Sequence, residues 1–333
     1  MVTMSDIARR TGVTVTTVSN ALTNRGRVSE STRSKILAAA QEMGYEVNLT
    51  ARHLRVGRSD TIALIVPSYH DYFGEIADRL AVVVEATGRH LVLERTSARA
   101  EVERAAVTRP RMRMFDGVLL STVGLTYDEI EQARHRVPLV MLGERPMPPT
   151  VDHISLDNVE GARTATAHLI AGGARRPVVL GGWTGDDRGI ASSRRAGWER
   201  ALVEARIPVD PRLVVPVADY SLHDAREAMT AFLRSGVPFD AVFGVNDLVA
   251  LGGMSAVAEA GLRVPQDVQV AGFDNLPFTD FVHPRLTSVD PHHEDVAQTA
   301  MRLLERRMAG ADAPPEKIVS PVTLVARGST RAT

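Results

Sequence analysis

Polar and aromatic side chains that could hold a small molecule follow several short apolar runs of the chain. Ser68, Tyr72 and Phe73 come after TIALIVP, while Asn246 and Asp274 end the runs AVFGVN and VQVAGFD. Asn and Asp bind neighbouring hydroxyls, arginine donates a fork of N–H groups, and aromatic residues cover an apolar ring face. This set suits a neutral polyol such as a sugar. Comparable positions hold Thr122, Glu144, Arg145, Trp183, Asp186, Asp187, Arg194, Asp247 and Asn275.

A purely structural role is open for the same residues. Asn and Asp that follow a strand also cap the next helix by accepting a hydrogen bond from its first free N–H groups. For Asn246 the pattern leaves the cap and the ligand role equally open.

No residue pattern typical of an enzyme is present. The chain lacks the G-x-S-x-G elbow, a G-x-G-x-x-G turn after the first run, a Walker loop and the H-E-x-x-H motif. The segment HHED at 292–295 offers metal-ligand types, but on one helical turn they point in different directions. A solvated helix start is therefore favoured over a metal site. We expect no enzyme, no metal and no cofactor.

The elements that must position these residues begin at Thr61. Short, continuously apolar runs alternate with helical stretches, which predicts parallel strands covered on both faces and right-handed crossovers. There are too many runs for one sheet of ordinary size, so two doubly wound lobes are expected, with ligands bound where the strands end. The runs are TIALIVP, HLVLE, DGVLLS, PLVMLG, PVVLGG, LVVPV, AVFGVN and VQVAGFD.

The first 46 residues predict three short helices. Thr3 and Asp6 fit a capping box and Gly12 a helix stop, while Thr14 and Ser29 can cap a second and a third helix. Two helices joined by a tight turn, with a third in support, is the helix-turn-helix plan.

Residues 1–58 carry nine Arg or Lys and four Asp or Glu, a charge of +5, in a chain whose net charge is −1. A basic head on an acidic body favours a polyanion partner, although a solvated basic face is equally open from charge alone. The segment at 46–58, EVNLTARHLRVGR, predicts a helix too short to be stable alone, which would order against a partner. A plain flexible linker is the alternative.

The chain of 333 residues contains no cysteine, no secretory pattern at its start and no apolar run near the length that spans a bilayer. We therefore expect a cytoplasmic protein that does not enter a membrane.

Four segments together resemble the lactose/galactose repressor (LacI–GalR) family of bacterial transcription regulators: VTMSDIARRTGVTVTTVSNAL, RVSESTRSKILAAAQEMGY, NLTARHLRVGRSDTIALIVP and FGVNDLVALGGMSAVAEAGLRVPQDVQVAGFDN. The resemblance implies an α/β protein with an all-α helix-turn-helix head (1–46), a hinge helix or linker (47–59), and an effector-binding and dimerisation domain (60–333). That last domain would be a two-lobed, periplasmic-binding-protein-like core of doubly wound parallel sheets. It also implies a homodimer on palindromic double-stranded operator DNA, whose affinity a small effector, often a sugar, changes.

The resemblance assigns a set of DNA-contacting positions. Val15, Thr16 and Asn20 would read bases, Arg27 would reach a base or phosphate, and Leu54 would wedge a minor-groove base step. Because this set has no arginine or lysine on the reading helix, we predict A·T readout: thymine methyls by Val15 and Thr16, and adenine by Asn20. The remaining positions, which would touch phosphates or the minor groove, are Thr3, Thr14, Thr17, Ser19, Ser29, Thr32, Tyr45, Ala51 and Arg55.

The resemblance also assigns the cleft. Arg194 belongs to the RRAGW segment, and Tyr220 stands where an aromatic ring stacks on the ligand. The full effector-binding set is Ser68, Tyr72, Phe73, Ser121, Arg194, Tyr220, Asn246 and Asp274. The chain departs from the family pattern at Val47 (commonly Pro), at Glu144-Arg145 (commonly Asp-Arg), in SVDPHHEDV and in Ser68-Tyr69-His70. The identity of a sugar therefore does not transfer.

An effector-controlled repressor is the leading interpretation. The alternative is a cytoplasmic ligand-binding protein whose degenerate head has no transcriptional role. A sugar-processing enzyme is a third, without a catalytic constellation to support it.

Overall fold

The computed structural model describes residues 2–22, 26–45, 59–69, 72–183 and 189–331, which form two compact units at Met1–Ser59 and Asp60–Thr333. The predicted boundary at 46/47 and the linker residues Ala51, Leu54 and Arg55 lie outside the described residues.

The first unit contains helices α1 (Met4–Thr11), α2 (Val15–Leu22) and α3 (Glu30–Glu42). Ile7, Val18 and Ile36, one from each helix, are fully buried against one another in a small core. The local signals in the sequence are confirmed. Thr3 and Asp6 form a capping box, and Gly12 ends α1 in the left-handed conformation at φ 75°.

The second unit contains two six-stranded sheets. The first has the order β2-β1-β3-β4-β5-β11, and all its strand pairs are parallel. Its strands are β1 (Thr61–Val66), β2 (His90–Arg95), β3 (Gly117–Leu120), β4 (Leu139–Leu142), β5 (Asp152–Leu156) and β11 (Lys317–Ser320).

The second sheet has the order β7-β6-β8-β9-β10-β12, and β12 is antiparallel to β10 while the other pairs are parallel. Its strands are β6 (Pro177–Leu180), β7 (Val214–Val215), β8 (Ala241–Gly244), β9 (Gln269–Phe273), β10 (Thr287–Asp290) and β12 (Thr323–Val325). The predicted fold class is confirmed.

Nine helices of the described residues flank these sheets. Those of the first lobe are α4 (Tyr72–Glu85), α5 (Ala100–Ala106), α6 (Arg109–Met112), α7 (Tyr127–Arg134) and α12 (His293–Met308). Those of the second are α8 (Asn158–Ala171), α9 (Ile190–Glu204), α10 (Leu222–Arg234) and α11 (Asp247–Glu259). Short 3-10 helices occupy Pro211–Leu213 and Pro277–Asp280.

Strand β1 shows why its sheet is covered on both faces. Ile62 and Leu64 pack into one apolar core with residues of α4 and α12, and Ala63 and Ile65 pack into another with residues of α5 and α7. Successive side chains of a strand point to opposite faces, so a continuous apolar run fits this position.

The same prediction is wrong for HLVLE, which forms β2. This strand lies at the sheet edge, and Val92 and Leu93 are about two-fifths exposed at 41% and 39%. Apolar composition alone does not distinguish a central strand from an edge strand.

The chain crosses between the two lobes three times, at 156–158, 290–293 and 320–323. Each crossing leaves the carboxyl end of a strand of one sheet and enters an element of the other lobe. The carboxyl-terminal edges of both sheets therefore border the same cleft, where the polar residues of the sequence patterns lie.

Candidate nucleic-acid interface and ligand cleft

Helix α2 turns its predicted base-reading residues outward. Val15 is 44% exposed and Thr16 is exposed, while Val18 on the opposite face is fully buried. Asn20 is half-buried beside Gly26, where an added Cβ atom would lie 2.9 Å from the Asn20 Nδ2 atom. Gly26, at φ +72°, therefore leaves the space that the Asn20 amide occupies.

Three hydroxyl residues of the predicted phosphate-contacting set cap the three helices of the head. Thr3 Oγ1 accepts from Asp6 N at 3.3 Å, Thr14 Oγ1 from Thr17 N at 3.2 Å, and Ser29 Oγ from Thr32 N at 3.3 Å. Helix N-termini gather free N–H donors and the positive end of the helix dipole, which suits a phosphate.

The three N-termini are not equivalent. Thr3 Oγ1 donates to Asp6 Oδ2 at 2.7 Å, and this hydrogen bond lowers the pKa of Asp6, so a carboxylate already sits at the start of α1. The starts of α2 and α3 carry neutral pairs instead: Thr14 with Thr17 at 2.9 Å and Ser29 with Thr32 at 2.8 Å. The second and third helices therefore offer the better phosphate positions.

The other predicted residues of the head divide by exposure. Arg27 is exposed and Tyr45 packs partly against the small core. Ser19 is only 8% exposed, which leaves little of its surface for the phosphate contact predicted for it. Its place on the inner side of α2, next to Val18, explains this burial.

Arg194 is the centre of the cleft. The side chain projects from α9 and is 2% exposed. Its Nε donates to Asn158 Oδ1 at 2.6 Å, its Nη2 to Asp274 Oδ1 at 3.1 Å, and its Nη1 to the carbonyl of Val245. The guanidinium also lies over the Phe273 ring, 3.5 Å from the centroid. Each Nη retains a second N–H that a ligand could engage.

Two predicted polar residues on the second lobe have taken structural partners. Asn246 Oδ1 accepts from Val249 N at 2.7 Å and so caps α11, which leaves its amide N–H groups for a ligand. Asp247 is fully buried and accepts from Leu276 N at 2.8 Å and Ser288 Oγ at 2.5 Å. Burial, with the nearby Asp274 carboxylate, raises the pKa of Asp247 well above its usual value.

The first lobe supplies an aromatic wall. The rings of Tyr72 and Phe73, at the start of α4, lie 5.4 Å apart edge to face. Burial, with the charges of Glu144 and Asp274, raises the pKa of Tyr72, which shows that its phenol is near the polar centre. Ser121, at the end of β3, is 5% exposed, and Ser68 is half-buried.

Tyr220 differs from the other predicted cleft residues. Its ring is 41% exposed in the loop before α10, and no contact with Arg194 or Asp274 is among those found. Its stacking role stays a prediction.

Two further residues belong to this cleft, and neither was among the predicted site residues. Glu144, directly after Gly143 at the end of β4, accepts a hydrogen bond from Leu156 N at 3.0 Å on Oε1, and burial raises its pKa to about 7. His293 is 8% exposed, its ring lies 5.4 Å from that of Tyr72, and burial lowers its pKa to about 4.

The prediction of a solvated helix start at HHED is therefore wrong for His293. Glu294 and Asp295 are exposed, but His293 faces α4 from the first turn of α12. The helical phase that separates these side chains also turns one of them inward. A cluster of three metal-ligand types does occur on the described surface, at His223, Asp224 and Glu227 of α10.

Comparison with known proteins decides the family. A family model described as bacterial regulatory proteins, lacI family, matches residues 3–48, and one described as a periplasmic binding protein-like domain matches residues 166–330. The HTH-type transcriptional repressor CytR of Escherichia coli (strain K12) is 31% identical over 332 residues, covering 99% of this chain and 96% of CytR. The chain belongs to the lacI family of bacterial regulatory proteins.

Solved structures of lacI-family proteins share the whole architecture. The Lac repressor dimer bound to operator and the anti-inducer ONPF has a TM-score of 0.83 at 26% identity and covers 99% of both chains. The complex of the transcriptional regulator CelR with cellobiose has a TM-score of 0.71 at 29% identity, over 99% of this chain and 100% of CelR. As in this family, a DNA-binding domain precedes a ligand-binding domain. None of the helices described here combines the length and apolar character that crossing a membrane requires.

The burial of His293 predicts a pH-dependent stability. Its pKa in the folded chain, about 4, lies below the ordinary 6.5, so the stabilisation is present above pH 6.5 and is lost as the pH falls towards 4. Relative to His293→Phe, the wild type should lose up to about 3 kcal/mol of unfolding free energy between pH 7 and pH 4.5 in urea titrations. His223→Phe, which removes an exposed imidazole, is the control. Parallel pH curves for the wild type and His293→Phe would contradict the assignment.

Proposed function

We propose that this chain is a repressor of transcription whose affinity for a palindromic operator is set by a small molecule of the sugar class. The observation that carries the proposal is the buried Arg194 network, which joins Asn158, Asp274 and the Val245 carbonyl where the strands of the second lobe end. Such a set of aligned donors and acceptors beside aromatic rings suits a hydroxyl-rich ring. The head provides an exposed reading helix in the same chain.

The DNA interface would divide its work between charge, hydroxyl groups and base contacts. The +5 charge of residues 1–58 supplies attraction that depends on salt, and Thr14, Thr17, Ser29 and Thr32 position phosphates at two helix N-termini. Val15, Thr16 and Asn20 then read A·T pairs, and Arg27 reads a guanine. In the linker, Ala51, Leu54 and Arg55 would enter the minor groove.

The ligand would act by changing the angle between the lobes. A molecule bound to Arg194 and Asp274 on one side and to Tyr72 and Phe73 on the other contacts both lobes, and the three crossings at 156–158, 290–293 and 320–323 would absorb the movement. A coupling of about 1–3 kcal/mol changes operator affinity roughly 5–150-fold. The proposal leaves open whether the ligand weakens or strengthens binding.

The relatives support the ligand class and the assembly. The CelR structure holds cellobiose, and the Lac repressor structure is a dimer on operator DNA. We extend these features to this chain as a sugar-class effector, a homodimer, a cytoplasmic location and no enzymatic activity.

Removal of the head tests the regulatory role. In gel shifts with DNA upstream of its own gene, the full chain should bind specifically, and a chain lacking residues 1–58 should not, because the reading helix and the basic charge are gone. Retention of specific binding by the truncated chain would contradict the repressor and favour a ligand-binding protein without a transcriptional role.

Asn20 tests the base readout. Operators selected from random DNA by the wild type should hold an A·T pair opposite Asn20, and Asn20→Ala should relax that position at a cost of about tenfold in affinity. Gln41→Ala, exposed on α3, is the control and should select the wild-type operator. Selection of an obligatory guanine opposite Asn20 would overturn the prediction.

Arg194 tests the cleft. A thermal-shift screen with sugars and nucleosides identifies a ligand, and fluorescence anisotropy of labelled operator measures its effect. Arg194→Ala should abolish the response to that ligand and keep operator binding, since the head is a separate compact unit. Arg200→Ala, exposed on the same helix, should respond as the wild type does. An unchanged response in Arg194→Ala would remove Arg194 from the site.

A further inference from the structure

We propose that Glu144 and His293 form a second polar subsite on the first-lobe side of the cleft, and that this subsite selects an uncharged or cationic, donor-rich effector over its anionic counterparts. The inference rests on the proposed function of the cleft and adds the charge class of its ligand.

Glu144 is held as an acceptor at the end of β4. Gly143 precedes it with φ +120°, a conformation that favours glycine and directs the chain away from the strand. The Glu144 carboxyl accepts from Leu156 N at 3.0 Å and from the Asn158 side chain. A carboxylate offers about four acceptor positions, so two remain for N–H or O–H groups of a ligand.

His293 provides the second group. Its Nε2 atom is buried and has no hydrogen-bond partner within the described ranges, although the ring is more than nine-tenths buried. A buried polar atom without a partner costs free energy, and a ligand hydroxyl or amide would satisfy it. The charged or titratable groups that influence this ring are Asp290, Arg79 and His292. A neutral imidazole nitrogen can donate or accept, according to its tautomer.

The charge balance of the cleft sets the ligand class. Three carboxyl groups, those of Glu144, Asp247 and Asp274, influence one another around the single guanidinium of Arg194. Arg194 pairs with Asp274 at 3.1 Å, which leaves the other two carboxyl groups without a full countercharge. A phosphate or carboxylate of a ligand would add a like charge in a desolvated site, where repulsion is strong.

Arg145 is the competing influence. It follows Glu144 directly, and its Nη1 is buried without a hydrogen-bond partner among the described residues. A guanidinium that served the ligand would favour anions, the opposite outcome. Variants of the two neighbours therefore separate the two possibilities.

The experiment uses matched probes on the full chain. D-glucose, D-glucosamine and glucose 6-phosphate form one set, and adenosine with adenosine 5′-monophosphate forms another. Thermal shift and calorimetry are measured for the wild type, Glu144→Gln, His293→Phe and Arg145→Gln. Glu204→Gln, partly exposed at the end of α9, is the matched control. Glu144→Gln keeps the size of the side chain and an acceptor for Leu156 N, so it should fold.

The wild type should bind neutral or cationic members and none of their phosphates. Glu144→Gln should weaken the accepted ligand about tenfold or more, since hydrogen bonds to charged groups are the stronger ones, and should narrow the discrimination against the phosphate. His293→Phe should weaken the same ligand without admitting phosphates. Glu204→Gln should change neither.

Three results would overturn the inference: phosphates that bind the wild type more tightly than their neutral partners and lose binding in Arg145→Gln; Glu144→Gln that binds as the wild type does; or a wild type that no neutral or cationic member stabilises. Gel shifts on the same samples report operator binding separately. A phosphate that binds and changes operator affinity would leave the proposed function standing while the charge class fails.

Discussion

The buried guanidinium of Arg194 is the interaction on which the ligand-binding unit depends. Four separate elements meet at this one side chain: α9 that carries it, the start of α8, and the ends of β8 and β9. A charge this deep is tolerable because Asp274 balances it, a carbonyl and an amide accept its N–H groups, and the Phe273 ring covers one face. The cost of removing it from water is therefore offset only when all four elements are in place.

The carboxyl groups around it show a second consequence of burial. Asp274 is paired, whereas Asp247 accepts from a serine and a backbone N–H and has a raised pKa. Asp247 thus ties the start of α11 to the segment after β9 and to β10. Binding groups and bracing groups are neighbours in the same cleft, and the hydrogen-bond partners distinguish them better than residue type does.

Sequence reasoning was successful where structure is local. The caps at Thr3, Thr14 and Ser29, the stop at Gly12 and the central strands follow from short patterns, because their partners lie a few residues away. It failed where the partner is distant. Strand β5 begins at Asp152, a charged residue that is buried only because Arg306 and Arg307 reach it at 2.9 and 2.6 Å. The inward turn of His293 likewise depends on Tyr72, more than two hundred positions earlier. For the cleft, pattern and resemblance found Arg194 and Asp274 but missed Glu144 and His293.

The threefold crossing of the chain also constrains how the protein is made on the ribosome. The first lobe takes its early strands from 61–156, but its covering helix α12 and its last strand β11 come from 293–320. At synthesis rates of about 5–20 residues per second, the nascent first lobe waits on the order of ten seconds with α4 uncovered and the edge of β5 unpaired. The second lobe is also left open until β12 emerges. A chain stopped early would therefore expose sticky apolar surface in both lobes and become a substrate for chaperones and proteases.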